Sequence, residues 1–190
     1  LFHVVFSAIG ILIGVYLSWS IAAVNILSVF LLWLYSNNLK RQPFVGNLAV
    51  ALLTGASIFV VDMLYRTHNP LIIIYALFAI FMTLVREIIK DIEDLKGDNT
   101  FGCKTLPIIW GIRKTKIIIY TILGIFSIAV IVLNTRFEIL PLQYYVLLLF
   151  APLVWFVVRL YRADTKKDFS WLSTFCKAIM LVGILSMVFA

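Results

Sequence analysis

Five of the nine acidic residues, Glu87, Asp91, Glu93, Asp94 and Asp98, fall within twelve positions, in the run Arg86-Glu-Ile-Ile-Lys-Asp-Ile-Glu-Asp-Leu-Lys-Gly-Asp98. Spaced by four, three and four residues, Glu87, Asp91, Asp94 and Asp98 share one helix face within an arc of about 60°. Like charges at those spacings repel, so a cation is expected to compensate them. Lys90 and Lys96 fall well off the stripe. Carboxylate oxygens on one face suit Mg²⁺, which keeps several waters and binds through one or two carboxylates plus phosphate oxygens. With Lys and Arg residues close by, the pattern reads as a diphosphate-metal site. The plainer alternative, a solvated helix end balanced by Lys90 and Lys96, explains a one-sided acidic stripe less well. Gly97 is expected to end the helix before Asp98.

The elements that must position this stripe lie in lipid. Of the 190 residues, 63% are hydrophobic and 13% charged, with a mean hydropathy of +1.07, where a soluble domain runs about half apolar and a quarter charged. Too few polar residues remain to coat a soluble fold of this size. A span needs roughly 20 apolar residues, and seven segments qualify: 1–17, 21–36, 44–61, 70–89, 116–133, 141–160 and 172–190. Turn residues fall where spans must end, at 18–20, at Pro43, in Thr67-His68-Asn69-Pro70, and at Asn134 and Pro141. The first two spans form a tight hairpin. The fold class expected is an all-α, multi-pass transmembrane helical bundle forming one domain over residues 1–190.

Alternate loops carry Lys and Arg unequally. Lys40 and Arg41, seven basic residues from Arg86 to Lys116, and Arg159, Arg162, Lys166 and Lys167 fall on one side, thirteen in all, against Arg66 and Arg136 on the other. The positive-inside rule makes the first side cytoplasmic and starts the chain inside. The net charge of +7 is therefore a matter of topology, and no nucleic-acid partner is expected. Cys103 and Cys176 lie far apart, without CxxC or zinc-type spacing, and indicate neither a disulfide nor a metal site.

Arg86 to Asp98, followed by Gly102-Cys-Lys-Thr-Leu-Pro107 and Gly111, resembles the second aspartate-rich motif of the UbiA superfamily of intramembrane prenyltransferases. A second patch, Tyr35-Ser-Asn-Asn-Leu-Lys-Arg41 with Gly46-Asn47 and Leu53-Thr54-Gly55, resembles the loop after that family's fourth helix, particularly in members that make archaeal-type ether lipids. The resemblance implies nine helices, of which these spans would be the third to ninth, with active-site loops on the cytoplasmic side of the cell membrane. It also implies Mg²⁺, held by two aspartate-rich motifs, and a polyprenyl diphosphate whose prenyl group passes to a lipid-soluble acceptor. The ether-lipid likeness makes geranylgeranylglyceryl phosphate the expected acceptor, and an aromatic quinone or tetrapyrrole precursor the alternative. The first motif, Asn-x-x-x-Asp-x-x-x-Asp, has no counterpart here, and no acidic residue precedes Asp62. With Leu1 in first place, the expectation is a fragment lacking two leading helices and inactive by itself.

Residue by residue, the likeness assigns Asp91, Asp94 and Asp98 to the metal, and Lys40, Arg41 and Lys104 to diphosphate. Glu87, one turn before Asp91, either supports the metal ligands or pairs with Arg86 or Lys90. The family's Tyr-x-x-x-Lys spacing would place Ser36 in the tyrosine register, so no role passes to Tyr35. His3 and His68 have no carboxylate partner at helical spacing, and Asp62, Glu138, Asp164 and Asp168 read as loop solvation. From other classes, a transporter would use the stripe to bind its cation, although such sites favour broken helices at mid-membrane. A non-catalytic membrane subunit would genuinely lack the first motif.

Overall fold

A strongly apolar chain in lipid must satisfy its backbone within its own helices, and it does so here. The computed structural model describes residues 2–66, 70–137 and 150–186. The helices are α1 (Phe2–Leu17), α2 (Trp19–Asn37), α3 (Val45–Tyr65), α4 (Pro70–Glu93), α5 (Leu95–Thr100), α6 (Leu106–Phe137), α7 (Ala151–Arg162) and α8 (Lys166–Ser186), with a 3₁₀ turn at Leu39–Arg41. No strand occurs among the described residues. Helices α2, α3, α4, α6 and α8 are long and apolar enough to cross a bilayer; α1 is shorter, with 16 residues. The expected span over 141–160 lies partly outside the described residues, which resume before α7.

The hairpin of α1 and α2 is as tight as expected. Ser18 caps α2, its hydroxyl accepting the Ser20 N–H at 3.3 Å. Across the hairpin the Asn25 amide donates to the Gly10 carbonyl at 2.9 Å, which satisfies a polar side chain in an apolar setting.

Helix α4 is the centre of the bundle, packed against α3, α6 and α8. Met82, Val85, Ile88 and Ile89 are fully buried there, against Phe126 and Val130 of α6, Phe156 and Leu160 of α7, and Phe169 and Leu172 of α8. Small residues let the backbones approach, as lipid-embedded helices require: Ala51 and Gly55 of α3 are buried, and a Cβ on Gly55 would lie 2.3 Å from Ile80. The faces turned outward carry Phe6, Leu12, Trp33, Ile128 and Leu181, all exposed, as lipid-facing surface is.

The basic loops converge on one end of the bundle. The Lys104 N–H donates to the Arg41 carbonyl at 3.0 Å. The Lys116 ammonium donates to the Ala163 carbonyl, lies 3.4 Å from Asp164 and sits over the Phe169 ring. Elsewhere in the bundle, the Tyr75 and Ser186 hydroxyls meet at 3.1 Å, joining the start of α4 to the end of α8. Asp62, expected in a loop, belongs to α3. Asp168 does more than meet solvent: with Thr165 it forms a reciprocal cap on α8, accepting the Thr165 N–H at 3.0 Å while its own N–H donates to the Thr165 hydroxyl. Glu138 and His68 fall outside the described residues.

Candidate active site

The acidic stripe begins in the last turns of α4, whose apolar faces are buried on three neighbours. That burial holds the helix despite the like charges along its edge. The stripe is not one straight helix. Asp94 takes φ −94 and ψ 7, in the bridge region, and the chain restarts as α5, which contains both Gly97 and Asp98. The break therefore falls at Asp94, three residues before the expected stop at Gly97. Backbone bonds continue on both sides of it, from the Asp94 N–H to the Lys90 carbonyl at 2.9 Å and from the Asp98 N–H to the Asp94 carbonyl at 3.0 Å. The three aspartates thus stay together: Asp91 lies within electrostatic reach of Asp98, Glu87 and Asp94.

Burial, reinforced by the charge of Asp94, holds the Asp98 carboxyl above the usual carboxylate range. Lys90 opposes that shift. Ideal helical spacing sets Lys90 well off the stripe, yet it lies within electrostatic reach of Asp98. Glu87 pairs with Arg86, one of the two partners open to it.

Helix α3 supplies what the stripe lacks. The Asn47 side-chain amide donates to Asp91 Oδ2 at 2.8 Å, across 44 residues of sequence. Asn47 sits in the first turn of α3, after Pro43 and after Phe44, whose φ of 64 is unusual for a side chain of that size. Gly46 is fixed by close approach: a Cβ there would lie 2.6 Å from the Leu39 carbonyl oxygen. The 3₁₀ turn bearing Lys40 and Arg41 is thus pressed against α3 on one side and bonded through Arg41 to Lys104 on the other. Lys40, Arg41 and Lys104 are all exposed, with their side chains available to an anion. In the same loop the Thr105 hydroxyl is buried without a hydrogen-bond partner among the described residues.

The fold brings both sequence patches together. Lys40, Arg41 and Lys104 come from loops that are directly bonded, and Asp91 from a helix end bonded to the second patch. Asn47 and Tyr35 were assigned no role from sequence. Tyr35 is half-buried and feels the charges of Glu87 and Asp91. Between Tyr35 and Lys40 the chain changes form, with α2 ending at Asn37 and Lys40 on a 3₁₀ turn. The only advance signal for Asn47 was its place in the patch beside Gly46.

The carboxylates offer hard oxygen donors of the kind Mg²⁺ takes. Among the described residues no three His, Cys, Asp or Glu side chains form a ready-made metal cage. Such a donor set fits an ion that keeps its waters and shares substrate phosphate oxygens, rather than one enclosed by protein. Cys103 and Cys176 are unlinked.

Residues 1–182 match the model of the UbiA prenyltransferase family. The chain belongs to that family. Among curated relatives, digeranylgeranylglyceryl phosphate synthase of Methanosphaera stadtmanae is 35% identical over 181 residues, covering 94% of this chain and 65% of the relative. The protein of the same name from Methanobrevibacter smithii is 33% identical over 175 residues, covering 89% of this chain and 60% of its own length. This chain thus spans somewhat less than two thirds of these relatives. A solved structure described as giving structural and mechanistic insights into digeranylgeranylglyceryl phosphate synthase in membranes superposes with a TM-score of 0.77 at 22% identity, over 96% of this chain and 65% of that one. That likeness establishes the fold, an all-α bundle of membrane-spanning helices.

Proposed function

We propose that this protein, at the full length its gene encodes, transfers a geranylgeranyl group from its diphosphate to geranylgeranylglyceryl phosphate in ether-lipid synthesis, with Mg²⁺ as cofactor. The observation that carries this reading is the joining of the two patches: a carboxylate fixed by Asn47 beside two bonded basic loops, in a UbiA-family chain. Relatives that carry the synthase name support the choice of acceptor.

In the reaction, the bond between donor C1 and the diphosphate oxygen breaks and its electron pair leaves with diphosphate. The acceptor hydroxyl oxygen then bonds to C1 and its proton is released. Asp91, Asp94 and Asp98 hold the metal. When bound, Mg²⁺ neutralises the diphosphate charge and makes it a better leaving group. Lys40 and Lys104 bind the diphosphate as point charges, and Arg41 as a planar fork suited to phosphate. Glu87, paired with Arg86, steadies the stripe one turn behind Asp91. The apolar bundle around α4 excludes water, which keeps the cation-like C1 from being hydrolysed. The basic end of the bundle faces the cytoplasm, following the thirteen-to-two bias of its loops.

The test is an assay of the full-length protein in membranes with labelled geranylgeranyl diphosphate, with Mg²⁺ or with a chelator. The panel of acceptors is geranylgeranylglyceryl phosphate, an aromatic quinone precursor and a tetrapyrrole precursor. Chelator-sensitive labelling of the glyceryl phosphate is expected. Labelling of an aromatic or tetrapyrrole acceptor instead would move the protein to another branch of the family, and labelling of none would remove the activity.

A further inference from the structure

We infer that Asn47 is a positioning residue for the metal: it fixes the rotamer of Asp91 by occupying Oδ2 and so turns Oδ1 toward the ion. The inference rests on the proposed function and deepens it. The Asn47 amide donates to Asp91 Oδ2 at 2.8 Å, and among the described residues Oδ1 accepts no hydrogen bond. A carboxylate with one oxygen tied to a neutral donor and the other open is the arrangement by which an outer partner orients a metal ligand. The amide does this without a competing positive charge, which a Lys or Arg in its place would bring.

The donor is itself held from behind. Asn47 stands in the first turn of α3, and the neighbouring Gly46 packs so closely on the Leu39 carbonyl that no side chain fits between them. The 3₁₀ turn beyond it carries Lys40 and Arg41, and the Arg41 carbonyl accepts the Lys104 N–H at 3.0 Å. Asn47 is thus a side-chain link between Asp91, on α4, and the helix that follows the basic turn. The amide ties a candidate metal ligand to the helix that begins beside the basic turn.

The experiment uses the full-length protein in nanodiscs. Mn²⁺ stands in for Mg²⁺ and is read by electron paramagnetic resonance, in the presence of an unreactive thio analogue of geranylgeranyl diphosphate. Asn47→Leu is expected to weaken Mn²⁺ binding by about 10–100-fold, the usual effect of losing an outer-shell partner. Asn47→Asp, which sets a second carboxylate against Asp91, is expected to weaken it further. In an Asp91→Asn background, Asn47→Leu is expected to cause no additional loss, because the group it orients is already gone. A structural role would instead lower binding by the same factor in both backgrounds. If Asn47→Leu does not fold, Asn47→Ser supplies the same comparison with a smaller side chain. Mn²⁺ binding by Asn47→Leu equal to the wild type, or equal losses in both backgrounds, would overturn the positioning role while leaving the proposed function in place. Failure of the wild type to bind Mn²⁺ with the analogue would overturn both.

Discussion

Asp91 and Asp98 are both carboxylates of one stripe, yet they meet different surroundings. Asp91 is tied to Asn47, whereas Asp98 lies on a separate short helix beside Asp94 and within reach of Lys90. They should therefore fail differently. Asp98→Asn is expected to raise the Mg²⁺ concentration needed for half-maximal transfer about tenfold while leaving a measurable maximal rate, because one of several oxygen donors is lost and waters can replace it. A Mg²⁺ titration of labelled transfer measures this. The carboxylates were legible in the sequence because charge in an apolar chain is conspicuous and helical spacing aligned it. Asn47 was not, since a neutral amide acting across 44 residues leaves no local pattern. Tyr35 received no role because the family's Tyr-x-x-x-Lys spacing falls on Ser36, and its place near Glu87 and Asp91 depends on packing between α2 and the end of α4 that the spacing does not report.

Two glycines decide local shape, Gly46 in the first turn of α3 and Gly111 near the start of α6. At Gly46, a methyl group would collide with the Leu39 carbonyl, which is backbone and cannot swing away. Gly46→Ala is expected to push the 3₁₀ turn and Lys40 outward, raising KM for the prenyl diphosphate by about tenfold, the cost of roughly one weakened charge-assisted contact. Steady-state kinetics against donor concentration would show it. At Gly111, φ 79 and ψ 160 lie where only glycine is comfortable, and there α6 kinks five residues after its start. Gly111→Ala is expected to cost about 1–3 kcal/mol of stability, read as a lower melting temperature by intrinsic tryptophan fluorescence. Five of the seven expected spans, those of α2, α3, α4, α6 and α8, were legible from apolar length and turn residues. The start of α6 at Leu106 was not, because Pro107 and the basic run to Lys116 resemble a loop, although proline is well suited to a first helical turn. The break at Asp94 was hidden for the opposite reason: it carries neither Gly nor Pro, and Gly97 drew attention instead.

At the scale of the whole molecule, α4 organises the bundle and the charges orient it. The proposed orientation comes from counting basic residues, and two pairs of the basic loops are bonded to each other. With Cys103 and Cys176 replaced by Ser, single cysteines at Lys96 and Lys166 are expected to be shielded from an impermeant maleimide in intact cells, and one at Arg66 to be labelled. The reverse pattern would invert the orientation. The alternation is itself a reading of the sequence, since short-loop charge reflects membrane insertion. The packing that brings the two patches together was not legible there, because it depends on close contacts such as Gly55 with Ile80, which no periodicity reports. The central claim is that this end of the bundle is a metal-dependent prenyl-transfer site built on Asp91. Its most direct test compares full-length wild type with Asp91→Asn, measuring Mg²⁺-dependent transfer of labelled geranylgeranyl to geranylgeranylglyceryl phosphate at equal membrane insertion. A loss of at least about 100-fold in the variant is expected for removal of a metal ligand, and turnover within about twofold of the wild type would contradict the account.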